Sequence, residues 1–253
     1  MDDPVLLTGA AGRVGQAILR DLADEYEWRL LDREPLPKEK LPEGIEREAV
    51  SVADVTDDEA VREAMEGVGA VVHLAGDPRP QAPWDSVLRN NIDGTQTIFE
   101  AAVDAGVEKV AFASSNHAVG AYETDERTPD LYRPEDDFRL NGAELPRPSN
   151  LYGVSKAAGE VLGRYYHDEH GLSVVCVRIG NLTRGHPPWD YERGQSMWLS
   201  YRDCAHLFDC CLRATYDFEI VYGISDNDRK YYLIDRARDV LGYDPQDNSA
   251  EFE

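Results

Sequence analysis

Val5-Leu6-Leu7-Thr8-Gly9-Ala10-Ala11-Gly12-Arg13-Val14-Gly15 is the stretch on which the fold turns. A short apolar run meets glycines at a three-residue spacing, and Val14, Ala17, Ile18 and Leu22 then repeat at helical period. Strand, glycine turn and helix in that order are the front of a βαβ unit. The turn carries backbone N–H groups toward a pyrophosphate at the helix N-terminus and lets the helix pack closely. Gly9, Gly12 and Gly15, with Arg13 and Val14 between them, are therefore candidate cofactor-binding residues. The next apolar run, 28–31, ends on Asp32. A carboxylate there accepts from adenosine ribose hydroxyls and repels a 2′-phosphate, which favours NAD over NADP. The neighbouring Arg33 works against that preference. Asp54 and its neighbour Val55 follow the third apolar run; Asp54 reads equally as an adenine contact and as a turn or helix-capping residue.

Working outward, the pattern repeats. Strands are predicted at 48–52, 70–74, 109–113 and 173–179, and helices at 57–65, 84–103 and 151–170. Thr56 is placed to cap the first of these helices, and Gly171 to stop the last. Strands alternating with helices imply right-handed crossovers and an α/β fold: a Rossmann-like doubly wound parallel sheet with a small C-terminal substrate lobe. Residues 1–180 read as the NAD-binding domain carrying the catalytic residues, and 181–253 mainly as the substrate lobe, not an independent domain. Residues 121–150 are polar and proline-rich, with Arg127, Arg133, Arg139 and Arg147, and read as a substrate-side loop. Past Pro187-Pro188 the chain reads as helical at 202–214 and extended at 219–222.

Tyr152-Gly153-Val154-Ser155-Lys156 sets a phenol and an ammonium one helical turn apart. A free tyrosine, with a pKa of about 10, is a poor base. A nearby lysine and a cationic nicotinamide both favour the phenolate and are expected to lower it by about 2–3 units. Tyr152 then takes an alcohol proton as hydride leaves the same carbon. Ser114 and Ser115 follow the predicted strand 109–113, where a hydroxyl can hold the substrate oxygen beside Tyr152.

Composition narrows the partners. Asp plus Glu number 49 against 26 Lys plus Arg, a formal net charge of -23, and five of the bases are lysines. Such a surface repels nucleic acid and anionic membranes. It also suits molar salt, where self-repulsion is screened, so a high-salt cytoplasm is expected. The first residues carry no secretory pattern, and no apolar run approaches a membrane span. Cys176, Cys204, Cys210 and Cys211 lack paired spacing and read as reduced, buried thiols. His206 and Cys210 share a helix face without a second ligand pair, so no metal is expected.

Together these features resemble the extended branch of the short-chain dehydrogenase/reductase superfamily, over nearly the whole chain. The resemblance adds His73-Leu74-Ala75-Gly76, of which Leu74, Ala75 and Gly76 would line the cofactor, and Asn91, matching a helix residue that supports proton relay. It makes Ser115, Tyr152 and Lys156 the catalytic set. Phe112–Gly120, Leu151–Lys156 and Val177–Asn181 are similar to uronate dehydrogenases, which oxidise an anomeric hydroxyl with NAD. This implies sugar contacts from Asn116, His117 and Asn181, and an anion clamp at Arg193. Leu74–Pro80, Ala82–Asn91 and Tyr222–Tyr232 resemble the haloarchaeal NAD-dependent glucose-6-phosphate dehydrogenases.

The expected reaction is oxidation of the C1 hemiacetal hydroxyl of glucose 6-phosphate to the lactone, with NAD as cofactor. Because a dianionic phosphate needs several cationic donors, Arg79, Arg193, Arg202, Arg229 and Lys230 are candidates, Arg193 first. Uronate oxidation is the alternative within the enzyme class; a nucleotide-sugar epimerase fits less well, since the short lobe leaves little room. A non-catalytic NAD-sensing protein is the alternative outside it. By resemblance, helices 84–103 and 151–170 would pair across a two-fold axis, giving a dimer or larger homo-oligomer.

Overall fold

The computed structural model describes residues 3–45, 49–124, 139–188 and 192–252. β1 (Val5–Thr8) is buried throughout and pairs in parallel with β2 (Trp28–Asp32) on one side and β4 (Ala70–His73) on the other. β3 (Val50–Val52), β5 (Lys109–Ser115), β6 (Ser173–Ile179) and β9 (Phe218–Gly223) complete a seven-stranded parallel sheet in the order β3-β2-β1-β4-β5-β6-β9. The chain winds outward from β1 to β3 and then returns to β4, so the strand order reverses beside β1. A crevice opens at the carboxyl ends of strands at such a reversal.

Alternate residues of each strand feed opposite layers, as the two-residue period of a strand requires. Leu7, Val175 and Val177 join the core under α1 (Arg13–Leu22) and α7 (Tyr201–Arg213). Leu6, Val174 and Cys176 join the core under α2 (Asp58–Met65), α4 (Gly94–Ala105) and α5 (Leu151–His170). Gly171, at φ 74°, ends α5 as read from the sequence. All four cysteines are buried thiols. Among the described residues no helix is long and apolar enough to cross a membrane.

Several boundaries differ from the sequence reading. Asp57, not Thr56, caps α2, its carboxylate accepting from Ala60 N at 3.2 Å; the Thr56 hydroxyl instead donates to Asp54 Oδ1 at 2.8 Å. Residues 84–103 do not form one regular helix. α3 (Trp84–Val87) passes into a π-helical stretch, Leu88–Asp93, and only then into α4. The Asn91 side chain lies in this wide turn and binds the backbone of Asp77 on both sides, a tertiary contact invisible to a periodicity argument. β5 runs on to Ser115, so both serines belong to the strand. Glu48 and the loop residues Arg127 and Arg133 lie outside the described residues.

The segment after 180 divides its work. β7 (Asn181–Leu182), α6 (Glu192–Ser196) and β8 (Trp198–Leu199) sit over the crevice side, and α8 (Asp235–Leu241) follows later. α7 and β9, however, belong to the central layers, so this segment is as much sheet as substrate lobe. A separate apolar cluster of Val119, Leu140, Met197, Tyr222, Ile224, Tyr231, Tyr232 and Ile234 joins Val119 and Leu140 to the C-terminal segment.

Candidate active site

The glycine turn is built for close approach. Gly9 has φ 71°, and a Cβ on it would lie 2.8 Å from Ala75 N; one on Gly15 would lie 2.7 Å from Ala10 O. Gly12, the N-cap of α1, offers no side chain to the first helical amides, which keeps them for an anion. Asp32 Oδ2 accepts from Ala11 N at 2.9 Å, tying the end of β2 to the turn. Lys40, which the sequence reading did not single out, donates from Nζ to Ala11 O at 2.8 Å. A cavity of about 770 Å³ runs from here to Tyr152. Gly9, Gly12, Arg13, Val14, Gly15, Asp32, Asp54, Val55, Leu74, Ala75 and Gly76 all line it. An uncapped helix start, a turn packed too closely for a Cβ at Gly9 or Gly15 and an acid at the end of β2 fit a dinucleotide. Burial would raise the Asp54 carboxyl, but bonds from Thr56 and the nearby Arg89 hold it below its ordinary value, an Asx-turn arrangement as well as a cavity wall.

Gly9→Ala tests the cradle. The left-handed φ and the contact with Ala75 together cost about 1–3 kcal/mol, and the Kd for NAD, read by fluorescence titration, is expected to rise about tenfold or more. Unchanged NAD affinity would refute this account of the turn.

A hydrogen-bond chain braces the floor. Thr8 Oγ1 accepts from Leu74 N and Ala75 N, so its proton goes to His73 Nδ1 at 2.8 Å. His73 therefore carries its proton on Nε2 and donates to Thr95 Oγ1 at 3.1 Å. Burial drives His73 down to about 3, so it stays neutral. Thr95 donates in turn to Asn91 O at 2.5 Å. The Asn91 side chain is committed: Oδ1 accepts from Asp77 N at 2.6 Å, and Nδ2 donates to Asp77 O at 3.1 Å and Ser155 Oγ at 2.9 Å. Asn91 thus fixes α5 to the β4 end and has no spare side-chain proton for relay.

At the chemical end, α5 starts with an Asn150 cap and presents Tyr152 and Lys156 to the cavity. Lys156 is buried, with Nζ 5.0 Å from the Phe112 ring centroid and 5.6 Å from that of Tyr152. Burial pushes its ammonium down to about 8. Burial raises the Tyr152 phenol, the hydrogen-bonded Ser115 hydroxyl opposes this, and the Asp77 charge adds to the rise. Asp77 is another residue the sequence reading missed. Arg79 and Ser86 hold its carboxyl well below the usual range in spite of burial.

Ser115 Oγ donates to Asn116 Oδ1 at 3.2 Å and accepts from His117 N at 3.2 Å. Asn116 reaches Met197 Sδ at 3.7 Å. Asn150 Oδ1 accepts from Gly153 N, which orients the amide so that Nδ2 donates to His117 Nδ1 at 2.9 Å. His117 then carries its proton on Nε2; burial, aided by Arg193, holds it below its ordinary pKa. Ser114, expected at the substrate, lines the cavity but donates its proton to Glu160 Oε1 at 2.6 Å.

Among the candidate phosphate cations, only Arg193 lines this cavity, beside Asn181. Arg193 Nε donates to Glu123, which also accepts from Tyr232 Oη. Burial would lower the guanidinium, and Glu123 more than reverses that, holding it charged. Arg79 is turned to Asp77 at 2.6 Å, Arg202 to Asp247 at 2.5 Å and Lys230 to Asp226 at 2.7 Å. Arg229 is exposed and off the cavity. In an acidic chain a surface ion pair is the alternative for each such cation, and Arg79, Arg202 and Lys230 each meet a nearer carboxylate. Glu123 had no signal in the sequence.

The pattern of the NAD dependent epimerase/dehydratase family matches residues 5–196. The chain is 77% identical over 252 residues to an NAD-dependent glucose-6-phosphate dehydrogenase of Haloferax volcanii, covering 100% of this chain and 96% of that one. It is 36% identical over 254 residues to a uronate dehydrogenase of Pseudomonas syringae pv. tomato, covering 98% and 83%. A mutant uronate dehydrogenase of Agrobacterium tumefaciens, solved in complex with NAD, superposes with a TM-score of 0.84 at 34% identity, covering 98% of this chain and 86% of that one.

Proposed function

The chain belongs to the NAD dependent epimerase/dehydratase family, and from that premise we propose that it oxidises the C1 hydroxyl of glucose 6-phosphate to the lactone. NAD, held by the glycine turn and Asp32, supplies the acceptor for the hydride that leaves C1. Tyr152, as phenolate, takes the hydroxyl proton, and Ser115 holds the same oxygen. Asn116 and His117 Nε2–H orient the ring hydroxyls, and Arg193 receives the anion at C6. The observation that carries this reading is the convergence of Tyr152, Lys156, Ser115, His117 and Arg193 on the cavity that begins at the glycine turn. The 77% identity to a glucose-6-phosphate dehydrogenase supports the choice of sugar.

A hexuronate is the second reading, favoured by one detail: a single arginine already neutralised by Glu123 suits a monoanion better than a dianion. NADH formation from glucose 6-phosphate, glucuronate and glucose in molar KCl separates them. Glucose 6-phosphate is expected to have the highest kcat/KM by about tenfold or more; a faster glucuronate reaction would transfer the assignment. The salt condition belongs to the proposal, because a net charge of -23 fits a high-salt cytoplasm. Self-association belongs to it too, with exposed Val161 and Tyr165 on α5 as the apolar contact.

A further inference from the structure

A buried ion pair next to the active site has no part in the chemistry above. Ser114 of β5, Arg178 of β6 and Tyr222 of β9 stand side by side in the sheet register. Glu160 reaches this row from α5. Its Oε1 accepts from Arg178 Nε at 2.8 Å and from Ser114 Oγ at 2.6 Å, and its Oε2 accepts from Arg178 Nη2 at 2.9 Å. Arg178 Nη1 also donates to Tyr222 Oη at 3.3 Å and lies 3.5 Å from Glu144 Oε2. Arg178 is fully buried and Glu160 is 2% exposed. Such a pair costs desolvation that its own attraction barely offsets, so stability is a weak account of it.

Its place on the helix is a better one. Tyr152, Lys156 and Glu160 follow at four-residue intervals, so they share one face of α5. Lys156 is buried as well. A buried ammonium and a carboxylate one turn apart are natural partners. Here both carboxylate oxygens are taken by a guanidinium fork, a geometry that lysine cannot match. We propose that Arg178 is a positioning residue: by engaging both oxygens of Glu160 it keeps that carboxylate off Lys156, and the Lys156 ammonium stays with Tyr152. The inference rests on Tyr152 acting as the base.

Four titratable groups around the cluster, His73, Cys176, Tyr222 and Asp77, do not change charge through the neutral range. Burial holds His73 of β4 neutral and drives Cys176 of β6 and Tyr222 of β9 upward; Arg79 holds Asp77 ionised. Glu144 faces Arg178 from the segment before α5.

The test compares wild type with Arg178→Gln and with Arg178→Gln/Glu160→Gln. It reads kcat and, without substrate, the Tyr152 ionisation from phenolate difference absorbance against Tyr152→Phe. In Arg178→Gln, Glu160 turns to Lys156; kcat falls about tenfold or more and the Tyr152 pKa rises by about one unit. The double variant has no carboxylate to compete and returns to within about threefold of wild type, with the pKa restored. Wild-type values in Arg178→Gln, or a folded double variant as impaired as the single, would overturn the proposal. If Arg178→Gln does not fold, the double variant decides by the same limits. If neither folds, Arg178→Lys, which cannot hold both oxygens of Glu160, decides: a tenfold loss with a raised Tyr152 pKa supports the proposal, and near-wild-type values overturn it. The absorbance readout needs no turnover, so a wild type inert toward sugars would defeat the proposed function and leave this result readable.

Discussion

Tyr152→Phe is expected to lower kcat by about a thousandfold while leaving NAD affinity and thermal stability close to wild type. The substitution deletes one oxygen. The ring, its edge contact with His117 and its distance from Lys156 all remain. The loss therefore falls on proton transfer and not on packing. The pH dependence follows from the two groups. Burial raises the phenol, so the phenolate fraction, and with it kcat/KM, grows as pH rises from neutral. The Lys156 ammonium, placed at about 8, loses its proton over the same range, and its support for the phenolate fades above that value. The wild type should show a bell-shaped profile, and the Phe variant no rising limb. A rate within about tenfold of wild type would remove Tyr152 from the role of base.

What could be read from the sequence and what could not divide along contact distance. The turn at 8–15, Asp32 and the Tyr152–Lys156 pair depend on local order: apolar run, glycine spacing, one helical turn. The structure brings Gly9, Gly12, Asp32, Tyr152 and Lys156 to the wall of one cavity. The π-helical stretch at Leu88–Asp93 was not legible, because what binds its Asn91 is the backbone of Asp77, 14 residues away. The bond that Ser114 makes was hidden for a related reason. Its position at a strand end is local, but the Glu160 that takes its proton is 46 residues on. Spacing also shows the lysine near Tyr152 and not the depth of burial that raises its phenol. Sequence alone could not divide the candidate phosphate cations between phosphate contact and surface ion pair; Arg79, Arg202 and Lys230 are paired with nearby acids.

That leaves Arg193 with the largest specificity effect. Arg193→Met is expected to lower kcat/KM for glucose 6-phosphate by about a hundredfold and to change that for glucose by no more than about threefold, as loss of a buried charged donor requires. The single variant has a complication that can be calculated in advance. Glu123, only 7% exposed on its side chain, loses its guanidinium and keeps the hydroxyl of Tyr232. An uncompensated buried carboxylate of this kind costs about 3–5 kcal/mol of stability. Arg193→Met/Glu123→Gln removes that cost, because a neutral amide still accepts from Tyr232. The double variant should thus recover most of the lost thermal stability and none of the lost preference for the phosphorylated sugar. Two measurements, a thermal midpoint and a ratio of kcat/KM values, then separate the two roles of the arginine. If the double variant regained the preference for glucose 6-phosphate, Arg193 would be a partner for Glu123 alone, and the anion at C6 would have to be received by another group.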